Sequence, residues 1–335
     1  MEILSKVYAQ SLVNWAKDRP EVLVLSADLT SSTEIDLFKK NYPERFLSMG
    51  IAEQNMISFA GGLAREGFQP FVHTFAVFIY RRAYDQVAMS VAYPNLPVRL
   101  VGFLPGITTP GGATHQAIED IAIMRALPNM TIFECGDATD IESVLAITET
   151  IPGPVYIRML RGEVPRLFDP AHPTQFGKSR TISTGDDLVL ITSGICTEEA
   201  LRATHCLTKR GVSIHHLHVT TLKPFNDPTI LEAAAKAKHG VITMENHTVI
   251  GGLGSAVAEL LAESGIGKRL IRIGLQDTFA HGASRPYLMK YYHLDATALI
   301  AQIEAMLNTK FDISENELAD VRIEAVHSAA KAEAL

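Results

Sequence analysis

A chain of 335 residues with 47% hydrophobic and 20% charged residues has the make-up of a soluble globular protein and excludes a disordered one. Its net charge of -7 leaves no basic footprint for nucleic acid, and no apolar run approaches the roughly 18–20 residues that cross a bilayer. The start MEILSKVYAQ has no secretory pattern, and Cys135, Cys196 and Cys206 keep no zinc or CxxC spacing, so a protein of the reducing cytoplasm is expected.

The length exceeds the roughly 250–300 residues at which single cores stop growing, which predicts two domains. Strand-length apolar runs alternate with helical patterns, the signature of a parallel α/β sheet. The first half offers a helix at 6–16, a strand at 22–25, a helix at 54–65, a strand at 71–74, a helix at 81–92 and a strand at 98–102. A helix at 118–126, a strand at 131–133, a helix at 140–148 and a strand at 155–157 complete it. From 162 to 187 Pro165, Pro170 and Pro173 break every period, which reads as a linker. A second series follows, with strands at 188–192, 212–218, 241–244 and 270–273 and helices at 198–209, 230–237, 255–262 and 297–307. The charged, alanine-rich stretch 311–335 reads as a polar tail, either a surface helix or a frayed end.

Ligands of open α/β sheets sit beyond the carboxyl ends of strands, which singles out 26–29, 50–54, 74–78 and 103–116. The last is a glycine- and threonine-rich loop ending in GGATHQ, and structureless loops of about 12–15 residues are usually functional or disordered. Its His115 can act as acid, base or hydrogen-bond donor near neutral pH, or be structural. Phe75 and Phe78, at i and i+3, fit a core pair as well as a shelf for a ring. Glu53 is the sharper question. In LSMGIAEQNMI, residues 47–57, it stands where a helix begins, and the helix dipole favours any carboxylate there. Its neighbours Ile51, Ala52, Met56 and Ile57 are apolar, and a carboxylate in such surroundings holds a proton more tightly than a solvated one.

In order and spacing, SADL, GIAEQN, TFAVF, RAYDQ, GGATHQ and LPNM resemble the pyrimidine-binding half of the transketolase family of thiamine diphosphate enzymes. LKPF at 222–225 and GGLGSAV at 251–257 resemble the same family's C-terminal domain, so the resemblance spans about residues 4–308. It implies a pyrimidine-binding domain at 1–161, a linker at 162–187, a smaller α/β C-terminal domain at 188–310 and the tail at 311–335. The GDG motif of the family's diphosphate-binding domain is absent from the sequence. The chain therefore resembles the C-terminal subunit of a split transketolase, inactive alone and sharing its site with a diphosphate-binding subunit that supplies the Mg²⁺ contacts. A heterotetramer of two copies of each chain is implied.

By that resemblance Glu53 hydrogen-bonds the N1′ nitrogen of the cofactor's aminopyrimidine, and Phe78 and Phe75 stack on its ring. His115 contacts the C1 hydroxyl or carbonyl region of the donor ketose, and Arg161 its phosphate, a contact that suits a guanidinium fork. Arg82, Tyr84 and Asp85 are expected to support the site or lie at an interface. Three positions depart from the family pattern: Gly111 stands for an aspartate that contacts substrate hydroxyls, Phe103 for a phosphate-binding histidine, and Ser5 for an arginine. They predict a smaller or more apolar sugar pocket and a modified ketose as substrate. Competing readings are the β chain of a 2-oxo-acid dehydrogenase, a 1-deoxyxylulose-5-phosphate synthase relative, and a non-catalytic regulatory subunit.

Two features are set aside. His215, His216 and His218 lie on one strand, two of them on one face, without a carboxylate or cysteine at ligand spacing, so a metal site is not expected. GGLGS at 251–255 lacks the third glycine and the later acid of a dinucleotide loop, and is read as structural. Glu245, Asn246 and His247 just before it are placed near an interface or the substrate entrance.

Overall fold

The alternating runs build two largely parallel sheets, and the computed structural model describes residues 2–321. Across the first sheet the strands run Thr221–Lys223, Thr131–Glu134, Val155–Met159, Arg99–Phe103, Gln69–Phe75, Val22–Ser26 and Phe46–Ser48. All neighbours pair in parallel except the first two. The second sheet runs Leu270–Leu275, Gly240–Thr248, Leu188–Thr192, Ile214–His218 and Arg180–Ser183, with only the last pair antiparallel. Every residue of Arg99–Phe103, Val155–Met159 and Leu188–Thr192 is buried, because helices cover both faces of a parallel sheet. Leu188, Val189, Leu190 and Ile191 each gain ~1.5–3 kcal/mol from such burial.

Helix starts are written in the sequence. Asp137, Asp227 and Asp295 each accept a bond from a backbone amide of the first turn they cap, and Pro228 follows Asp227 at the favoured first position. One apolar core runs from Tyr8 and Leu12 through Phe71, Leu100 and Ile157 to Val189, Ile191, Leu217 and Leu222, so it crosses from one sheet to the other. A second core fills the far face of the second sheet and takes in Ile107 and Ile118 from the first half of the chain.

The structure departs from the sequence expectations in three places. The LKPF stretch leaves its own domain: Thr221–Lys223 pairs antiparallel with Thr131–Glu134 and closes an edge of the first sheet. The segment 162–187 carries two short strands, Glu163–Pro165 on Ile3–Ser5 and Arg180–Ser183 on Ile214–His218. Strands of three or four residues are too short to show alternation in the sequence. The helix expected at 81–92 begins at Phe78, and π-helical turns at Phe78–Arg82 and Val87–Ala92 flank a short α-helical centre, Ala83–Gln86. Of the two readings of the stretch from 311, part takes the helical one: Glu315–Asp320 is a helix with a capping box of Ser314 and Glu317 and a buried Leu318. Residues 322–335 lie outside the described residues.

Candidate active site

Five side chains singled out in the sequence, Glu53, Phe75, Phe78, His115 and Arg161, meet beyond the carboxyl ends of the first sheet's strands. Phe75 ends the strand Gln69–Phe75, and Phe78 opens the helical run that follows. Their rings lie 5.8 Å apart at 30°. The His115 imidazole stands edge-on to both, 5.5 Å from Phe78 and 6.2 Å from Phe75. Arg161 follows Val155–Met159, keeps its guanidinium carbon 5.8 Å from the Phe75 ring centre and donates to Ser32 O at 2.9 Å. Phe75 is buried while Phe78, His115 and Arg161 are half-buried, which gives an apolar floor with a polar rim.

Glu53 is the first residue of the helix Glu53–Arg65 and only 1% exposed. Both its oxygens accept from Arg82 Nη1, at 2.7 and 2.8 Å, and the Arg82 guanidinium carbon stands 4.2 Å over the Phe78 ring. The expectation of purely apolar surroundings is corrected here. Met56, Ile57 and Ala60 bury one side of the helix, and a cation closes the other. Arg82 is 43% exposed, so water screens the pair.

His115 is held by its loop. Thr114 Oγ1 lies 2.9 Å from His115 Nδ1, which leaves Nε2 for a substrate. Asn246 of the second domain accepts from Ile107 N at 3.0 Å and donates to Pro105 O at 3.1 Å. Gln116 Nε2 donates to Thr109 O and to His281 O, both at 3.2 Å. Arg81 grips the other side, through Ala113 O, Gln116 O and the Glu119 carboxylate. Sequence reading missed Arg81, Gln116 and Glu119, and placed Asn246 no more closely than an interface or entrance; the doubled arginine before AYDQ was the one available signal.

The three departures from the family pattern differ in meaning. Phe103 is fully buried against Tyr8 and His73, at 5.5 and 6.5 Å, so it belongs to the core and no phosphate contact is read there. Gly111 is a packing requirement, since a Cβ there would stand 2.9 Å from His115 Cβ. Ser5 is exposed and pairs with Glu163 across the small sheet.

The features set aside are structural. His216 Nε2 meets Thr192 Oγ1 at 2.9 Å, and His218 bridges Thr197 Oγ1 at 2.7 Å and Asp140 Oδ2 at 2.8 Å, tying the second sheet to the helix Ala138–Glu149. Among the described residues no group of three or more His, Cys, Asp or Glu is placed to hold a metal ion. The GGLGS turn is gripped by a carboxylate. Glu245 accepts from Leu253 N at 2.6 Å and Gly254 N at 2.8 Å at the start of the helix Leu253–Glu263, and burial pushes its acid up to about 8.

Comparison with known proteins agrees with this layout. Residues 4–166 match the pyrimidine-binding domain of transketolase and residues 177–299 the transketolase C-terminal domain. The chain is 39% identical over 303 residues to a putative transketolase C-terminal section of Methanocaldococcus jannaschii, covering 90% of this chain and 95% of that one. It is 38% identical over 298 residues to a 6-deoxy-6-sulfo-D-fructose transketolase subunit of Clostridium sp., covering 89% and 92%. A solved structure of a split-gene transketolase, described as an inactive β4 tetramer, superposes with a TM-score of 0.83 at 39% identity, over 91% of this chain and 98% of that one. The chain belongs to the transketolase family, and it resembles the C-terminal subunits of the family's split members.

Proposed function

We infer that this chain is the pyrimidine-binding subunit of a two-chain, cytoplasmic transketolase that moves a two-carbon ketol unit from a ketose to an aldehyde. The observation that carries this reading is the unbroken line of contacts from Glu53 through Arg82, Phe78 and His115 to Phe75 and Arg161. The pocket fits thiamine diphosphate by a test internal to the chain. A planar N–H donor, the Arg82 guanidinium, already lies 4.2 Å over the Phe78 ring while bonding the Glu53 carboxylate. An aminopyrimidine presents the same combination, a flat aromatic-stacking face and a ring nitrogen that bonds a carboxylate.

When bound, thiamine diphosphate supplies the electron sink through which the ketol unit passes. Glu53 holds the proton at N1′ of the pyrimidine, and Phe78 with Phe75 fixes the ring plane. Arg82 yields its place by turning into solvent. His115 Nε2 bonds the C1 hydroxyl or carbonyl region of the donor, while Thr114 Oγ1 engages Nδ1. Arg161 faces the substrate's phosphate or another anion at the far rim. A separate subunit with a diphosphate-binding domain supplies the Mg²⁺ ligands, and two copies of each chain form the working assembly. The collision at Gly111 supports a substrate other than the usual pentose phosphates, because an aspartate cannot enter there unless His115 moves.

The test is a ketol-transfer assay on the complex drawn from native lysate with this chain as bait, using a panel of ketose phosphates, a sulfonated ketose and pyruvate. Transfer that depends on added thiamine diphosphate, with a co-purifying GDG-bearing chain, is expected. A complex active only on pyruvate overturns the ketol-transfer reading in favour of 2-oxo-acid chemistry.

A further inference from the structure

The histidine loop runs from 104 to 119 without a helix or strand of its own, yet His115 keeps fixed distances to Phe75 and Phe78. Loops of that length belong to the least stable parts of a fold unless something holds them. From the first domain Arg158 Nη2 reaches Ala117 O at 2.9 Å, and Arg81 bonds the backbone on both sides of the imidazole. Its Nη1 donates to Ala113 O at 2.6 Å and its Nη2 to Gln116 O at 3.3 Å, the carbonyls on either side of the Thr114–His115 pair. Its Nε and Nη2 also donate to the two oxygens of Glu119, at 2.7 and 2.8 Å. One guanidinium thus makes four bonds to the loop and to the residue just before the helix Asp120–Ala126.

Arg81 is also adjacent to Arg82 in the π-helical turn that starts at Phe78. The same short turn therefore presents Phe78 and Arg82 to Glu53, and Arg81 to the histidine loop. Glu119 makes the choice of partner unique: a bidentate carboxylate fixes the plane of the guanidinium, so its third edge can point only at the loop carbonyls. On the other side the guanidinium carbon lies 5.8 Å from the ring of Phe279, a residue of the second domain. Both members are about 30% exposed in their side chains, so the pair sits at the rim and adds little to global stability.

We propose that Arg81, locked in plane by Glu119, is a positioning residue that sets where His115 stands. This rests on His115 being a substrate contact. The Arg81 side chain bonds the histidine loop and Glu119, and its bonds reach none of Glu53, Phe75 and Phe78.

The experiment uses the assembled complex loaded with thiamine diphosphate, carrying Arg81→Ala, Arg81→Lys or Glu119→Gln, alone and in a His115→Ala background. Amide hydrogen exchange over 111–117 is expected to quicken about tenfold in Arg81→Ala, the signature of a loop released to local opening. The donor KM is expected to rise about 10- to 100-fold, the scale of a small misplacement, while thiamine diphosphate affinity stays unchanged. Arg81→Lys, with one donor point instead of a fork, falls between, and Glu119→Gln is milder still. In the His115→Ala background Arg81→Ala is expected to add no further loss, since two residues acting through one contact are not additive. Unchanged exchange, or full additivity of the two losses, overturns the clamp. A wild-type complex that transfers no ketol unit overturns the functional reading instead, and the exchange measurement still decides the clamp.

Discussion

Beyond the carboxyl ends of the first sheet stand Phe78, His115 and Arg82, open in part to solvent; beyond those of the second stand Ser193, His218, Glu245, Asn246 and His247, all buried. The two sheets share a construction, so topology alone assigns no chemistry to a strand end. What covers it decides. The second sheet's ends meet the first domain around Arg158, whose guanidinium bonds Asp120 at 2.9 Å, Glu134, Ala117 O at 2.9 Å and Asn246 O at 3.0 Å. Tyr156 adds a bond to Asp120 at 2.6 Å and Ser193 one to Glu134 at 2.5 Å. Charges so enclosed bind the domains and cannot serve a substrate. The first sheet's ends carry ion pairs open to water, Glu53 with Arg82 and Arg81 with Glu119.

Removing the centre of the buried network is the harshest way to break this contrast. Arg158→Met leaves Asp120 and Glu134 without their cation, and urea unfolding is expected to show a loss of ~3–5 kcal/mol. The outer pair of Arg19 with Glu149, at 2.8 Å, is the counterpart: Arg19→Ala is expected to cost no more than ~1 kcal/mol. Equal losses would show that burial is not what separates the two kinds of pair. At the open strand ends the effect moves from stability to rate. Glu53→Gln is expected to lower ketol transfer by about 100-fold or more, the scale of a lost proton-transfer partner, with the unfolding midpoint almost unchanged. A large shift in stability with activity retained would make Glu53 a structural helix cap after all.

Much of this contrast was readable in the sequence on one side only. Alternating apolar runs announce both sheets, and the spacing of GIAEQN, TFAVF and GGATHQ places Glu53, Phe75, Phe78 and His115 at neighbouring strand ends. The Glu53–Arg82 pair was not readable, because 28 residues separate them and only the π-helical turn at Phe78–Arg82 brings them together. Phe103 looked like a lost phosphate contact because its place in the loop order was visible and the direction of its side chain was not. The second sheet's polar strand ends were the least legible. His216, His218 and Glu245 are pinned by partners up to 78 residues away, and no local period records a contact at that distance.

The buried side of the contrast has a pH signature. Burial holds His73 and His216 down to about 3 and His247 to about 4, so all three stay neutral in the folded chain. The unfolded chain takes up protons at these histidines near the ordinary value of ~6.5, so it binds more protons than the folded one below that pH. Their contribution is therefore fully present above about pH 6.5 and is lost as the pH falls toward 4. His216→Asn is expected to make the decline shallower by one proton, ~1.4 kcal/mol per pH unit, in urea midpoints measured from pH 7 to 5. An unchanged slope would mean that His216 gains its proton while still folded.

The finest comparison puts one methyl group into each region. A Cβ at Gly136 would stand 2.7 Å from His218 Cε1 and 2.9 Å from Gly194 O, a buried ring and a backbone oxygen that cannot retreat. A Cβ at Gly111 would meet His115 at 2.9 Å from its Cβ, on a loop that borders solvent. Gly136→Ala is expected to cost ~1–3 kcal/mol as an overpacking defect, and Gly111→Ala less, because the loop that must shift with His115 borders solvent. The movement has its own readout: Gly111→Ala is expected to raise the donor KM several-fold while Gly136→Ala leaves it alone. Stability losses of the same size at both glycines would mean that the histidine loop is packed as rigidly as the domain interface, and that its substrate contact needs no clamp to hold it.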